Sequence, residues 1–471
     1  MGPQCQAVLL AGGAGASLFP LNHTGNPLAL FPVANQPLIT YALHTLEQAG
    51  VVDVLVVCLG EATAAKVMAW VKNKYSGKLR LKARSVPEDC ESADALKAVA
   101  EDITAQTFIV MSVDLVTDVC LEAMLAVHFL RNATVTVLLS QRRVSPASET
   151  KLGKAPKDVE YVGLDGESRR LVFFRPSPEA RRNIKLPMGT LLRQGCLSIR
   201  TDLQDNHLYI LDRSALALLQ AKPALANIKQ DLIPYLVRHQ HSSGKAASAV
   251  RPDSGGPAAN GQHESTGSLA ATESMEQITL ACNYMSMSHS AAALDDSAPG
   301  TSYCAAYVAG PEQYCARTVN LQSFSEVNRE VVNLELAARL GVQAQPNAKH
   351  DNFVDESVQI GSKSTAASGC MVGPGTTLGD KCSIKRSVLG AMCKLGSNVK
   401  IINSVLMDSV VVHDGCHLQN CIVCTGAQLQ ERVSLRDCQV GPGFTVSEGA
   451  EHREEVLAKA QQQRRSTDAK T

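Results

Sequence analysis

The residues best placed for chemistry stand near the amino terminus. Gln6-Ala7-Val8-Leu9-Leu10-Ala11 reads as a buried strand, and Gly12-Gly13-Ala14-Gly15-Ala16-Ser17-Leu18 follows as a loop of small residues. Such a loop brings backbone N–H groups close to an anion, as phosphate sites require. Asp114 falls just after the apolar run Phe108-Ile109-Val110-Met111-Ser112, where ligands sit beyond the carboxyl ends of sheet strands. Asp114 and Asp118 equally suit capping of a helix that begins near Val119, and both readings stay open. Asp205, Asp212 and Asp231 are imaginable second carboxylates without a motif behind them, and His207 reads as structural. Cys416, Cys421, Cys424 and Cys438, with His413 and His417, carry zinc-ligand chemistry. Zinc ligands must converge on one point, whereas the repeat around these residues turns them to different faces, so stacked buried thiols are expected and no metal.

The elements that position the loop alternate. Helical spacing runs over 37–49, 61–74 and 92–103, and apolar strands over 51–59, 79–86, 108–112 and 134–140. This alternation predicts an α/β, Rossmann-like domain over 1–241 with a mostly parallel sheet and helices on both faces. Asp165-Gly166 marks a hairpin, Arg181-Arg182 and Lys185 read as a solvated face, and 205–211 as a strand entering the sheet. Residues 242–301 have linker composition, and 302–345 read as a connecting strand followed by one helix over 324–340.

The last third has another period. Val354, Ile360, Ala366, Val372, Leu378 and Ile384 are spaced by six, and Leu389, Leu395, Ile401, Met407, Val412, Leu418, Cys424, Leu429 and Leu435 continue the pattern with three one-residue slips. This is the hexapeptide signal of a parallel β-helix, expected over 346–446 with a polar tail over 447–471. Its left-handed form is the one that the pattern resembles.

Composition narrows the function. The chain has 471 residues, 45 basic and 45 acidic, and only 19% charged, which argues against a nucleic-acid surface or an acidic-lipid anchor. No apolar run reaches the roughly 18 residues of a membrane span. Fifteen scattered cysteines fit reduced thiols and a cytosolic location.

Phe19-Pro20-Leu21, Asn26-Pro27-Leu28 and Phe31-Pro32-Val33-Ala34-Asn35-Gln36-Pro37-Leu38-Ile39, with the glycines before them, resemble the signature of the sugar-phosphate nucleotidyltransferases. The resemblance implies a nucleotide loop at Gly12, Gly13 and Gly15 and a Mg²⁺ carboxylate at Asp114. It also implies an arginine and a lysine where this chain has Ser17 and Leu28, and a glycine where it has Glu91. Losing one such electrostatic donor typically costs about 10²- to 10³-fold in rate, so the loop reads as degenerate, with no catalytic residue and no cofactor expected. Arg80, Lys82 and Arg84 are imaginable replacements.

Joined to a hexapeptide β-helix, the domain resembles the gamma-subunit family of the guanine-nucleotide exchange factor for eukaryotic translation initiation factor two. Asp114-Leu115-Val116-Thr117-Asp118, His207-Leu208-Tyr209, Leu232-Ile233-Pro234-Tyr235-Leu236-Val237-Arg238 and Ile384-Lys385-Arg386-Ser387-Val388-Leu389-Gly390 carry the likeness. It implies a non-catalytic place in a hetero-decamer with epsilon, alpha, beta and delta subunits, acting on the initiation factor as substrate of the complex, with neither nucleic acid nor membrane as partner. The family's exchange domain follows the β-helix of epsilon, and the roughly 25 residues after Val446 are fewer than the ~50 of a small domain. A nucleotide-sugar pyrophosphorylase, or its inactive regulatory subunit, is the alternative.

Overall fold

The computed structural model describes residues 5–12, 18–24, 26–143, 159–166, 169–176, 186, 196–240, 303–347 and 350–458. Gly13, Gly15, Ser17, Arg181, Arg182, Lys185, the whole 242–301 linker and the end of the tail lie outside them.

Seven strands form the main sheet: β1 (Gln6–Leu10), β2 (Asp53–Leu59), β3 (Arg80–Val86), β4 (Thr107–Ser112), β5 (Val135–Gln141), β6 (Leu203–Asp212) and β7 (Cys304–Val308). Their order is β7-β5-β6-β4-β1-β2-β3, and only β6 runs against the rest. Both faces are covered, so the strands read as near-continuous apolar runs whose side chains alternate between two cores. Val8, Phe108 and Val110 enter one core, and Ala7, Leu9, Ile109 and Met111 the other. Helices α1 (Leu38–Gln48), α2 (Glu61–Lys74) and α4 (Leu121–Leu130) contribute to the second core, and α3 (Ser92–Ala98), α5 (Arg213–Ala221) and α6 (Ile233–His239) to the first.

Three expectations change. The segment 302–345 does not merely connect, because β7 pairs in parallel with β5 as an edge of the sheet, and Cys315–Arg317 pairs antiparallel with Leu115–Thr117. The single helix over 324–340 is two, α7 (Leu321–Glu330) and α8 (Leu334–Arg339). The break falls at Asn333, whose side chain accepts from the N–H groups of Glu335 at 3.1 Å and Leu336 at 3.2 Å and so caps α8. The helix expected over 92–103 stops at Ala98 and ends in a 3₁₀ turn, Ala100–Asp102.

Residues 352–457 form a parallel β-helix with three faces. Its first turn takes 18 residues (Phe353 to Met371), and later turns take 17, as Met371 pairs with Val388, Val388 with Val405 and Val405 with Ile422. The missing residue per turn accounts for the slips in the hexad. The interior is built from columns such as Ile384, Ile401, Leu418 and Leu435, each at most 1% exposed. Met407 and Cys424 do not point inward as the hexad implied. Leu406 and Val423 take those interior places, and Met407 and Cys424 pack outside, against the first domain. Ile360, in the first turn with one neighbouring strand, stays half exposed. The helix also passes its expected end at 446, since Glu451–Arg453 and Val456–Leu457 pair with the turn before them.

The thiols replace hydroxyls as corner donors. Cys382 Sγ donates to the Gly396 carbonyl at 3.0 Å, Cys393 to Met407 at 3.2 Å and Cys416 to Gln430 at 3.0 Å, as Thr376 Oγ1 does to Gly390 at 2.9 Å. Cys421 and Cys438 share a different corner and donate to the Gln419 and Arg436 carbonyls. Among the described residues, no three potential metal ligands converge.

Two predictions follow from this architecture. Ending the chain after Val446 removes the cover of Leu435 and Val446, so relative to ending it after Ala458 the β-helix should lose at least about 2 kcal/mol, read as a lower thermal midpoint. His128 on α4 is buried against the Thr136 hydroxyl at 2.9 Å, and burial lowers its pKa to about 4. Because the folded value lies below the ordinary 6.5, the stabilisation is complete above about pH 6.5 and is lost as pH falls towards 4, at up to ~1.4 kcal/mol per pH unit. Urea unfolding from pH 7 to 5 should show a shallower slope for His128→Gln than for the unchanged protein.

Candidate functional site

The sheet order reverses direction at β1, with β2 and β3 on one side and β4 on the other, so the carboxyl ends of β1 and β4 flank a crevice. Gly12 continues β1, and a side chain there would collide with Leu59 at the end of β2. Asp114 follows β4, 6% exposed. The strand geometry therefore sets Gly12 and Asp114 at one end of the sheet.

The chain's own arginine faces Asp114. Arg317 reaches Asp114 Oδ2 through Nη2 at 2.7 Å and Oδ1 through Nε at 3.3 Å. Its backbone is fixed by the pairing of 315–317 with 115–117, and Thr318 N–H donates to the Asp114 carbonyl at 2.9 Å. Burial pushes the Asp114 carboxyl up, but Arg317 outweighs it and holds the group below its ordinary range. Neither Asp114 nor Asp118 caps α4: its N-cap is Cys120, with no side-chain cap bond. Asp118 instead accepts from the Tyr314 N–H at 2.6 Å and pairs with Arg339 at 3.1 Å.

A second polar layer lies beside this pair. Asp205, 2% exposed, accepts from the Tyr209 hydroxyl at 2.6 Å and from the His207 N–H at 2.8 Å. The Asp205 N–H in turn donates to Glu160 at 2.8 Å, and Glu160 pairs with Lys229 at 2.5 Å. Burial raises the Asp205 carboxyl. Burial, then Arg317 and Lys229, push the His207 imidazole well below its ordinary pKa, so His207 is neutral at pH 7. His207 sits at φ 55° where β6 shifts register between Asp205 and Tyr209. Asp212 and Asp231 are elsewhere, Asp212 capping α5 and Asp231 accepting from the Ala226 and Asn227 N–H groups.

Two of the positions at which this chain departs from the resembled enzymes make contacts of their own. Leu28, where the resembled enzymes have a lysine, packs against both the sheet core and the interdomain core. Glu91 Oε2 accepts from Asn227 Nδ2 at 2.9 Å, and the Ala93 N–H at the start of α3 donates to the Ala226 carbonyl. Lys82 and Arg84 pair with Asp102, whose carboxyl Arg84 and then Lys82 lower to about 2, and Arg80 pairs with Asp53. Arg80 and Lys82, with Asp102, border a cleft of about 290 Å³ that includes Gln6 and Asp53, the first residues of β1 and β2, at the end of the sheet opposite Asp114. They do not replace the missing cations.

The rest of the proline-rich motif has a different task. Pro32–Val33 and Gln36–Pro37 form a hairpin around Ala34 and Asn35, both at positive φ (46° and 59°) as a two-residue turn demands. The Ala34 N–H donates to Asn328 Oδ1 of α7 at 2.9 Å, and Asn35 Nδ2 donates to the Leu389 carbonyl of the β-helix at 2.8 Å. Around them one core joins Leu18, Phe31 and Tyr41 to Phe324 and Val331, and these to Phe353, Met371, Val388, Val405 and Ile422 on one face of the β-helix. Sequence reasoning missed Arg317, Glu160, Lys229 and Asn328. The apolar pairs Met371-Val372, Val388-Leu389, Val405-Leu406 and Ile422-Val423, recurring every 17 residues, do signal a face covered on both sides.

Residues 6–159 match the family model described as nucleotidyl transferase, and residues 349–451 the model described as EIF2B subunit epsilon LbH domain. The chain is similar to translation initiation factor eIF2B subunit gamma of Dictyostelium discoideum, 27% identical over 410 residues (83% of this chain and 88% of the relative). It is 28% identical over 461 residues to the protein of that name in Schizosaccharomyces pombe (96% and 89%). Similarity to eIF2B subunit epsilon of Dictyostelium discoideum is 25% over 235 residues, 48% of this chain and 32% of the relative.

Removing the Asn328 amide tests the hairpin. Asn328→Leu leaves the buried Ala34 N–H without its acceptor and should cost about 1–3 kcal/mol in urea unfolding, against a near-zero effect for Gln322→Leu on the exposed side of α7.

Proposed function

We infer that this chain is a gamma-type subunit of eIF2B, the guanine-nucleotide exchange factor for translation initiation factor two, and that it catalyses neither exchange nor nucleotide-sugar synthesis. Likeness to gamma subunits over 83% and 96% of the chain supports the assignment. The observation that carries the non-catalytic part is the Asp114–Arg317 pair, which takes up the carboxylate that metal-dependent phosphoryl chemistry needs. With Leu28 drawn into the core, no described residue supplies a cation in place of the lysine of the resembled enzymes, and backbone dipoles alone do not offset the charge on a leaving pyrophosphate.

In this reading the chain contributes rigid surface. The core between the two domains holds them at a fixed angle, so the outer faces of the β-helix and the open edges of the sheet present one continuous body to partners. Epsilon, with its related two-domain layout, is the proposed direct partner. Alpha, beta and delta complete the cytosolic assembly, and the initiation factor is its substrate.

Native mass spectrometry of the tagged chain purified from its own cells tests the assignment. A complex with epsilon-like and regulatory subunits at fixed ratio is expected; a homo-oligomer, or a complex with an active pyrophosphorylase, would overturn it. In parallel, turnover of UTP or GTP with sugar 1-phosphates and Mg²⁺ should fall at least about 10⁴-fold below that of an active nucleotidyltransferase, the product of two lost donors. Leu28→Lys should not restore it.

A further inference from the structure

The nucleotidyltransferase resemblance implies a divalent metal at Asp114, and the residues around it do not fit one. Mg²⁺ demands oxygen ligands in near-octahedral array at about 2.0–2.1 Å. Both Asp114 oxygens already accept from one guanidinium, at 2.7 and 3.3 Å. Asp205, the other carboxylate acting on Arg317, is taken by the Tyr209 hydroxyl and the His207 N–H. Glu160 is taken by Lys229 and the Asp205 N–H.

We propose that Arg317 is the resident cation of this crevice: its guanidinium takes the charge-neutralising place of a nucleotide-bound metal and closes the end of the sheet to metal-dependent phosphate binding. A planar fork matches a carboxylate bidentately and stays charged at every physiological pH, so the substitution is permanent rather than titratable. Arg317 is not a side chain free to swing aside. It ends a strand in register with Leu115–Thr117, two backbone hydrogen bonds from Asp114's own segment flank it, and the segment continues into Asn320, which caps α7. The arginine therefore also ties the part of the chain after residue 303 to the end of β4. The inference rests on this geometry and not on the subunit assignment.

The test uses the full chain, with whatever subunits accompany it, and Mn²⁺ alone as probe, read by electron paramagnetic resonance and by thermal shift. The unchanged protein should show no Asp114-dependent Mn²⁺ binding. Arg317→Met should lower the thermal midpoint by several degrees, because it leaves a buried carboxylate uncompensated, and millimolar Mn²⁺ should recover part of the loss. Asp114→Asn added to Arg317→Met should abolish the Mn²⁺ response and restore stability by removing the orphaned charge. Arg317→Lys keeps the charge without the fork and should lose less than Arg317→Met. If Arg317→Met does not fold, recovery of folded protein by the added Asp114→Asn supports the pairing, and failure of that rescue overturns it. Mn²⁺ binding by the unchanged protein that Asp114→Asn removes would overturn the proposal while leaving subunit co-purification untouched. So would an Arg317→Met protein as stable as the original.

Discussion

A carboxylate taken out of water at the end of a central strand has to be neutralised, and most of the first domain's unusual topology follows from how that is done here. Asp114 is compensated from a position 203 residues away. The strand carrying Arg317 must lie beside Leu115–Thr117, which brings the chain back over the sheet end after β7 and directs it into α7 and α8. Those helices then fill the space between the sheet and the β-helix. Breaking one partner of such a pair costs more than the pair contributes, because the survivor stays buried and charged. The arrangement thus constrains conformation more than it adds stability.

The second constraint is the 17-residue turn of the β-helix. Removing one residue from an 18-residue triangle shortens one corner, and the residues there, Arg386, Asn403, Asn420, Asp437 and Glu454, adopt positive φ, as residues at the other two corners do, among them Lys381, Asn398 and Arg432, and Met392 and Ser409. Side chains other than glycine tolerate that region at a cost. Stacking repays it by aligning interior columns from Val372 to Val440 and exterior columns from Phe353 to Ile422. The exterior column is buried as far as the first domain covers it; where that cover ends Gln439 follows Ile422, and Val456 beyond it is 46% exposed.

Much of this was legible. The alternation of β1 to β5 with α1 to α3 appears in the periodicity because both faces of the sheet are buried, and the hexad appears because every turn repeats one core. The reading of the loop as degenerate rests on Ser17, which lies outside the described residues, and on Leu28, both uncharged at marked positions. Arg317 was not, since a pair formed across two hundred residues leaves no local pattern, and Cys315-Ala316-Arg317 reads like any short strand. Met407 and Cys424 were misread as interior because a hexad counted through a shortened corner slips onto the neighbouring position. Helix α7 was read through its end because the apolar spacing continues past Val331 and only the backbone shows that Asn333 starts a new cap.

The placement of β7 bears on how the protein is made. Its partner β5 is synthesised early, yet β7 leaves the ribosome only after residues 241–302 have been added. At ~5–20 residues per second, the nascent sheet spends on the order of ten to a few tens of seconds with the β5 edge unpaired and Asp114 without its arginine. An open edge of buried apolar residues is a template for wrong pairing. The order of translation therefore opposes the order of assembly in this domain, and its yield in a cell depends on whatever shields that edge until the second half of the chain arrives.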